Sequence, residues 1–272
     1  MFNIRLFALA LASLFVVSTL NAQYADFVAG YSSGSGVNPT FTDPTRALGA
    51  PTTFIGYQNS DPFNPPFLNS DLVSVGAGGS LTVQFSTPIQ NDPAHAFGLD
   101  FIIFGNTGFI ITNGDFSGGG ITDGSLFANN SGTTRVSVSA NNLTYYALNP
   151  ALAPTVDGPF PTDASGNFLL PVNPALTTND FAGKDLNGIR SLYSGSGGGT
   201  GYDISWAQDG FGNSVFLPSI SFVRVEVLSG KSEVDAFATV PEPGTWVFGL
   251  VAAGIWVFRT RQLRVMHSEK DC

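Results

Sequence analysis

Val223-Arg224-Val225-Glu226-Val227 alternates apolar and charged residues without a break. An alternation with period two places the valines on one face of an extended strand and the charged side chains on the other. Strands of antiparallel sheets commonly bury one face and leave the other in water. The stretch therefore predicts a half-buried β-strand late in the chain.

Similar segments on either side of this stretch extend the prediction to the whole fold. Residues 81–85, 135–139 and 233–239 also alternate, and residues 97–104 are almost continuously apolar, which predicts a strand buried on both faces. Clusters of Gly, Asn, Asp and Pro separate these segments and predict turns. No stretch of residues 23–240 keeps a helical period over three turns. We expect an all-β fold, an antiparallel β-sandwich of jelly-roll type.

The connections between the predicted strands are uneven in length. Four long loops are expected, at about residues 57–71, 113–131, 149–166 and 173–201. Loops beyond about a dozen residues are usually functional or mobile. No linker divides residues 23–240, so a single ectodomain is predicted.

Composition and charge narrow the functional classes. The chain has 32 Gly and 24 Phe but only 11% charged residues, a composition that suits strands and turns better than helices. Residues 23–240 contain seventeen acidic and six basic residues, a net charge of −11. Such a domain repels a phosphate backbone, so nucleic acid is not an expected partner. Cys272 is the single cysteine, which excludes an intramolecular disulfide.

Both ends of the chain carry processing signals. Residues 1–22 read as a signal peptide, with Arg5 before an apolar run and Ala22 at a cleavage position. Near the other end, residues 245–258 are uncharged and predict a short transmembrane helix, although spanning usually takes about 20 residues. Arginines directly after that run predict that its far side, including the tail at 265–272, is cytoplasmic.

The C-terminal region, residues 241–264, resembles the PEP-CTERM sorting signal. The likeness consists of the tripeptide, the apolar run and the arginine cluster in order, on Pro241, Glu242, Pro243, Arg259, Arg261 and Arg264. The resemblance implies cleavage near the tripeptide by an exosortase-type enzyme, after transient anchoring in the inner membrane. It also implies delivery to the cell surface or extracellular matrix of a bacterium that produces exopolysaccharide.

The domain itself resembles a recurrent PEP-CTERM ectodomain of unknown function. The matching pieces lie at residues 47–51, 75–81, 100–106, 136–139, 201–204 and 234–238. The likeness implies a shared fold and no particular activity. Gly105 departs from it, because an acidic residue is expected at that position.

A calcium site is one candidate for chemistry. Asp115, Asp123, Asp203 and Asp209 lie in or beside glycine-rich segments, and calcium prefers carboxylate, amide and carbonyl oxygens. The alternative is turn formation, because Asp beside Gly favours turns without any metal. Calcium is the only cofactor that the sequence suggests.

Aromatic side chains offer a candidate site for sugars. Tyr193, Tyr202 and Trp206 are candidate ligand-binding residues for exopolysaccharide, provided that their rings are exposed. The alternative is that they belong to the core.

An enzymatic function is the last alternative. Residues 30–34 fit the G-x-S-x-G pattern of hydrolases, but that pattern needs a helix after the turn, and a Gly/Ser-rich stretch follows instead. His95, the one histidine of residues 23–240, would have to act as the base. The sequence therefore favours a non-catalytic exported protein, with a carbohydrate-binding module or a secreted hydrolase as alternatives.

Overall fold

The computed structural model describes residues 23–128 and 132–242. The predicted signal peptide, Pro243, the helix at 245–258, the arginines Arg259, Arg261 and Arg264, and the tail at 265–272 lie outside these ranges. Among the described residues, no helix combines the length and apolarity needed to cross a membrane.

Antiparallel strands dominate the described chain. In chain order they are β1 (Phe27–Ser32), β2 (Val73–Gly76), β3 (Ser80–Gln90), β4 (Phe101–Gly105), β5 (Gly108–Ile111), β6 (Ile121–Phe127), β7 (Thr133–Ser139), β8 (Tyr146–Leu148), β9 (Lys184–Asp185), β10 (Thr200–Tyr202), β11 (Ala207–Gln208), β12 (Ser219–Ser229) and β13 (Lys231–Thr239). Helix α1 spans Leu186–Tyr193, and short 3-10 turns lie at Pro44–Ala47, Ala96–Gly98, Thr178–Phe181 and Ile204–Trp206.

Two of the three sheets that the described residues form enclose the main core. The first has the strand order β1-β3-β12-β7-β8-β11 and the second has the order β10-β4-β13-β2. Buried residues of both sheets belong to one apolar cluster, including Val83 and Val225 from the first and Phe101 and Val234 from the second. The prediction of an all-β fold built from antiparallel sheets, in a sandwich arrangement, is confirmed.

Strand β12 is half-buried, as its alternation predicts. Val223, Val225 and Val227 on β12 are buried in the main core. On the other face, Glu226 accepts two hydrogen bonds from the guanidinium of Arg135 on the neighbouring β7, each 2.9 Å long. The alternation of this segment therefore separates core from solvent.

The second sheet is buried on both faces. Ile102 and Phe104 of β4 point away from the main core into a second apolar cluster. Phe168, from the connection between β8 and β9, packs edge-on against Phe104 in this cluster. The central strand predicted at residues 97–104 exists but begins at Phe101, because residues 96–98 form a 3-10 turn.

The prediction of one polar face at residues 233–239 is wrong. The pairing of β13 with β4 shifts register between Val234 and Ala236, which marks a β-bulge at Asp235. Val234 and Phe237 therefore face the main core, whereas Ala236 faces the second cluster.

A third, smaller sheet, β5-β6-β9, is inserted in the chain between β4 and β7 and is completed by β9. With α1 it encloses a third apolar cluster that includes Phe109, Phe181 and Ile189. Two predicted loops are therefore partly regular, since 113–131 contains β6 and 173–201 contains β9, α1 and the start of β10. The carboxylate of Asp185 caps α1 by accepting the N–H of Gly188 at 2.8 Å.

Candidate binding clefts

The loop of residues 52–67, which precedes β2, is held by several hydrogen bonds. Thr52 is bound to Asp235 on β13, and the hydroxyl of Ser60 donates to the carbonyl of Thr52 at 2.7 Å. Asp61 accepts the N–H groups of Phe63 and Asn64 at 2.8 and 3.0 Å, which closes a tight turn. The loop therefore has a defined shape on the surface.

A cleft of about 200 Å³, here called the aromatic cleft, lies against this loop. Three of its rings are partly in solvent: Tyr57 is 65% exposed, Phe67 47% and Phe127 40%. The rings of Tyr57 and Phe67 are 6.3 Å apart and inclined by 49°. The other lining residues are Ile55, Phe63, Asn64, Pro65, Pro66, Asn106 and Ala128.

The ring of Phe127 depends on a glycine. A Cβ at Gly108 would lie 2.5 Å from Cζ of Phe127 and 2.8 Å from Cδ of Pro65. A larger residue at 108 would displace one of them, so the position of the ring is set by the backbone of β5 and by Pro65.

A second cleft of about 320 Å³, here called the polar cleft, shares Phe63 and Asn64 with the first. Its polar lining includes Gln58, Asp61 and Asp115. Both the N–H of Ser117 and its hydroxyl donate to Asp115, and the hydroxyl bond is the first reason that the pKa of Asp115 is lowered. Two carboxylates therefore line this cleft.

Buried polar groups lie behind the aromatic cleft. Asn106 donates from Nδ2 to Oε2 of Glu233 at 2.5 Å, and Lys231 forms an ion pair with the other oxygen of Glu233 at 2.7 Å. Asp157 lies close to this group, and burial raises its pKa to about 7, with the nearby charge of Glu233 acting in the same direction. Neither carboxylate oxygen of Asp157 has a hydrogen-bond partner of normal geometry among the described residues.

Gly105, at which the sequence resemblance predicts an acidic residue, lies beside the same group. A Cβ at Gly105 would lie 3.3 Å from Oδ1 of Asp157 and 3.2 Å from the carbonyl oxygen of Glu233. The buried carboxylate of Asp157 therefore occupies the side-chain space beside position 105.

The four aspartates predicted to bind calcium each hold a local turn. Besides Asp115, Asp123 on β6 accepts the N–H of Ser125 at 2.9 Å, and Asp203 accepts the N–H of Ser205 at 2.6 Å. Asp209 accepts the N–H of Phe211 at 2.9 Å. Across residues 23–128 and 132–242, no three Asp, Glu, His or Cys side chains are grouped to hold a metal ion. Calcium binding stays a prediction.

Two of the three predicted sugar-binding aromatics are core residues. Tyr193 is 2% exposed and donates from its hydroxyl to the carbonyl of Pro161 at 2.8 Å. Tyr202 is fully buried and stacks on Phe101 with a centroid distance of 5.3 Å. Neither ring is open to a solute. Trp206 is half-buried and lines a cleft of about 140 Å³ with Phe160 and other apolar residues.

The hydrolase pattern has no elbow geometry. Ser32 is the last residue of β1, and among the described residues the next helical element is the 3-10 turn at Pro44–Ala47. His95 is buried, and its Nδ1 lies 2.8 Å from Oδ1 of Asp100. Asp100 also accepts the N–H groups of Ile204 and Asp92, at 2.8 and 3.1 Å. Asp100, directly before β4, therefore links this strand to the turn at residues 92–95 and to the segment at Ile204.

The rings that line the aromatic cleft were missed by the sequence argument. Residues 54–67 read FIGYQNSDPFNPPF, a loop dense in aromatic, proline and amide residues. This density of aromatic residues in a predicted loop could have indicated the cleft, because rings in a loop have less opportunity to pack in a core. Comparisons with protein-family models and with curated proteins give no match for the chain.

Proposed function

We propose that the chain is an exported, non-catalytic protein of the cell surface or extracellular matrix, processed at its C-terminal signal by an exosortase-type enzyme. One observation carries the proposal. Val240 is buried and its N–H donates to the carbonyl of Asp100 at 2.9 Å, whereas Pro241 and Glu242 directly after it are exposed. The first two residues of the tripeptide are therefore exposed directly after a buried residue, which supports access by a processing enzyme.

The strand order within the two main sheets allows a more specific fold assignment. We infer a sandwich of jelly-roll type, which the strand orders β2-β13-β4-β10 and β3-β12-β7-β8 support, with β1 and β11 as additional edge strands. In this interpretation β5 and β6 are an insertion between the third and fourth strands of the roll.

A non-catalytic role is supported by the hydrogen bonds that the buried carboxylates accept. Asp100, Asp163 and Asp235 each accept hydrogen bonds from a distant segment of the chain. Groups that hold the backbone in this way contribute to the fold without contacting a substrate.

A second candidate function is a carbohydrate-binding module for exopolysaccharide. The observation that favours it is the set of partly exposed rings at the aromatic cleft, on Tyr57, Phe67 and Phe127. Surface apolar patches with polar rims commonly mark binding sites.

Truncation tests the export proposal. A chain that ends at Pro243 lacks the apolar run and the arginines, so we expect it to be released wholly into the medium, whereas the full chain passes through the membrane fraction. Deleting only residues 265–272 is the matched control and should leave the partition of the full chain unchanged. Identical partition of the full chain and the chain ending at Pro243, measured by immunoblotting of cell fractions, would refute the proposal.

A further inference from the structure

We propose that the aromatic and polar clefts together form a binding site for an uncharged polysaccharide, with pyranose rings stacked on Tyr57 and Phe67. The inference rests on the second candidate function and names its site and its ligand class. Phe63 and Asn64 line both clefts, so one extended ligand can contact both.

The exposed rings supply the apolar contacts. Tyr57, Phe67 and Phe127 are between 40% and 65% exposed although they lie together in one concavity. A pyranose presents C–H groups on its faces and hydroxyls around its edge, so it can stack on a ring and still be hydrogen-bonded at its rim. Tyrosine and phenylalanine give such contact area at a small cost in side-chain entropy, because each has only two side-chain torsions.

The loop that carries Tyr57 and Phe67 is shaped before a ligand arrives. Asp61 closes its turn, and the N–H of Phe109 on β5 donates to the carbonyl of Pro62 at 2.8 Å. The bond between Thr52 and Asp235 fixes the start of the loop to β13. A site ordered in advance loses less conformational freedom on binding.

The polar cleft supplies groups suited to hydroxyls. Gln58 donates from Nε2 to Asp61 at 3.2 Å, and Asn64 donates to both oxygens of the same carboxylate at 3.1 and 3.2 Å. These bonds fix the orientation of two amides and a carboxylate beside the rings. A few oriented polar groups next to aromatic walls are the usual composition of a small-molecule site.

Charge selects the class of sugar. Asp61 and Asp115 line the polar cleft, and none of the described residues that line either cleft is Lys or Arg. Arg190, the cation that interacts with Asp61, is already paired with Asp163 at 2.7 Å. Uronic acids and sulfated sugars would therefore approach two carboxylates in the cleft, which opposes their binding. A neutral polysaccharide meets no such repulsion.

The test uses the purified full-length protein in detergent, so it does not depend on sorting. Isothermal titration is carried out with cellohexaose, mannohexaose, chitohexaose and an alginate hexamer. We expect at least one neutral hexasaccharide to bind and the alginate hexamer not to bind. Tyr57→Ala and Phe67→Ala should each weaken binding about tenfold, whereas Tyr57→Phe should retain it because the ring remains.

Phe211→Ala is the matched control, because Phe211 is 92% exposed and lines neither cleft. Its affinity should equal that of the wild type, and thermal unfolding should show that all variants remain folded. Three results would overturn the inference: no binding of any neutral hexasaccharide, tighter binding of alginate, or unchanged affinity in both ring-deletion variants. These three binding results do not depend on how the chain truncated after Pro243 is sorted. Failure of the sugar-binding proposal is therefore distinguishable from failure of the export proposal.

Discussion

The carboxylate of Asp235 accepts both the N–H and the hydroxyl of Thr52, at 2.9 and 2.7 Å, although 183 residues separate them in the chain. The bond joins the bulge of β13 to the loop that carries Tyr57 and Phe67 of the aromatic cleft. Asp235 thereby fixes the start of this loop to the second sheet.

Removing the hydroxyl of Thr52 should destabilise the protein. Thr52→Val keeps the shape of the side chain but removes one hydrogen bond to a buried carboxylate, so we expect a loss of about 1–3 kcal/mol in the free energy of unfolding. Urea denaturation measures it. Thr144→Val at an exposed position is the control, and equal stabilities of the two variants would contradict the role given to Thr52.

Stability should fall as the pH rises from 5 to 8. Burial raises the pKa of both Asp157 and Asp235 to about 7, above the value of 3.8 for an unburied carboxyl. The folded state therefore retains protons that the unfolded chain has already released, and this contribution to stability is lost as the pH passes through 7. Melting temperatures across this pH range measure the effect.

Asp157→Asn isolates one of the two groups. The amide cannot ionise, so the stability of the variant relative to the wild type should increase by roughly 2 kcal/mol between pH 5 and pH 8. Asp123→Asn is the control, because the pKa of Asp123 is lowered by its bonds to Ser125 and the group stays charged in this range. A wild-type pH dependence that survives undiminished in Asp157→Asn would show that Asp157 does not cause it.

Asp100 should be more important to stability than an acidic group on the surface. Asp100→Asn replaces one oxygen with a donor that faces N–H groups, and we expect a loss of about 3 kcal/mol or more. Glu226→Gln breaks only the partly exposed pair with Arg135 and should cost less than about 1 kcal/mol. Guanidinium denaturation of both variants checks the order, and the reverse order would refute it.

Chelation tests the calcium prediction. An ion that binds only the folded state raises the melting temperature with its concentration. EDTA should lower the melting temperature only if calcium is bound by the predicted ligands Asp115, Asp123, Asp203 and Asp209. A fall that added calcium reverses, and that Asp115→Asn abolishes, would identify a calcium site, and an unchanged melting temperature would contradict the prediction.

Periodicity predicted the parts of the fold that depend on burial of one face. The valines of β12 alternate because one side meets the core, and that rule is local to the strand. The bulge at Asp235 could not be predicted this way, since it depends on pairing with β4 and on a hydrogen bond from Thr52. The polar strand β6 was missed because Asp123, Gly124 and Ser125 read as a turn. Gly124 has a φ of 91°, and a side chain there would meet the carbonyl of Thr178.

The candidate site was less accessible to sequence reasoning than the fold. Tyr193 and Tyr202 were selected for residue type alone, and burial removes them from the surface. The rings that line the aromatic cleft come from two distant segments, 54–67 and the end of β6. Only the insertion of β5 and β6 beside the loop brings Phe127 to Tyr57 and Phe67.

The direction of β13 gives the molecule a polarity. Glu233, which accepts a hydrogen bond from Asn106 at the aromatic cleft, lies near the start of the strand, and Val240 lies just beyond its end, about 20 Å away along an extended backbone. The aromatic cleft and Glu242, the last residue that the structure describes, therefore lie towards opposite ends of β13. A sugar bound at the cleft would leave Pro241 and Glu242 uncovered.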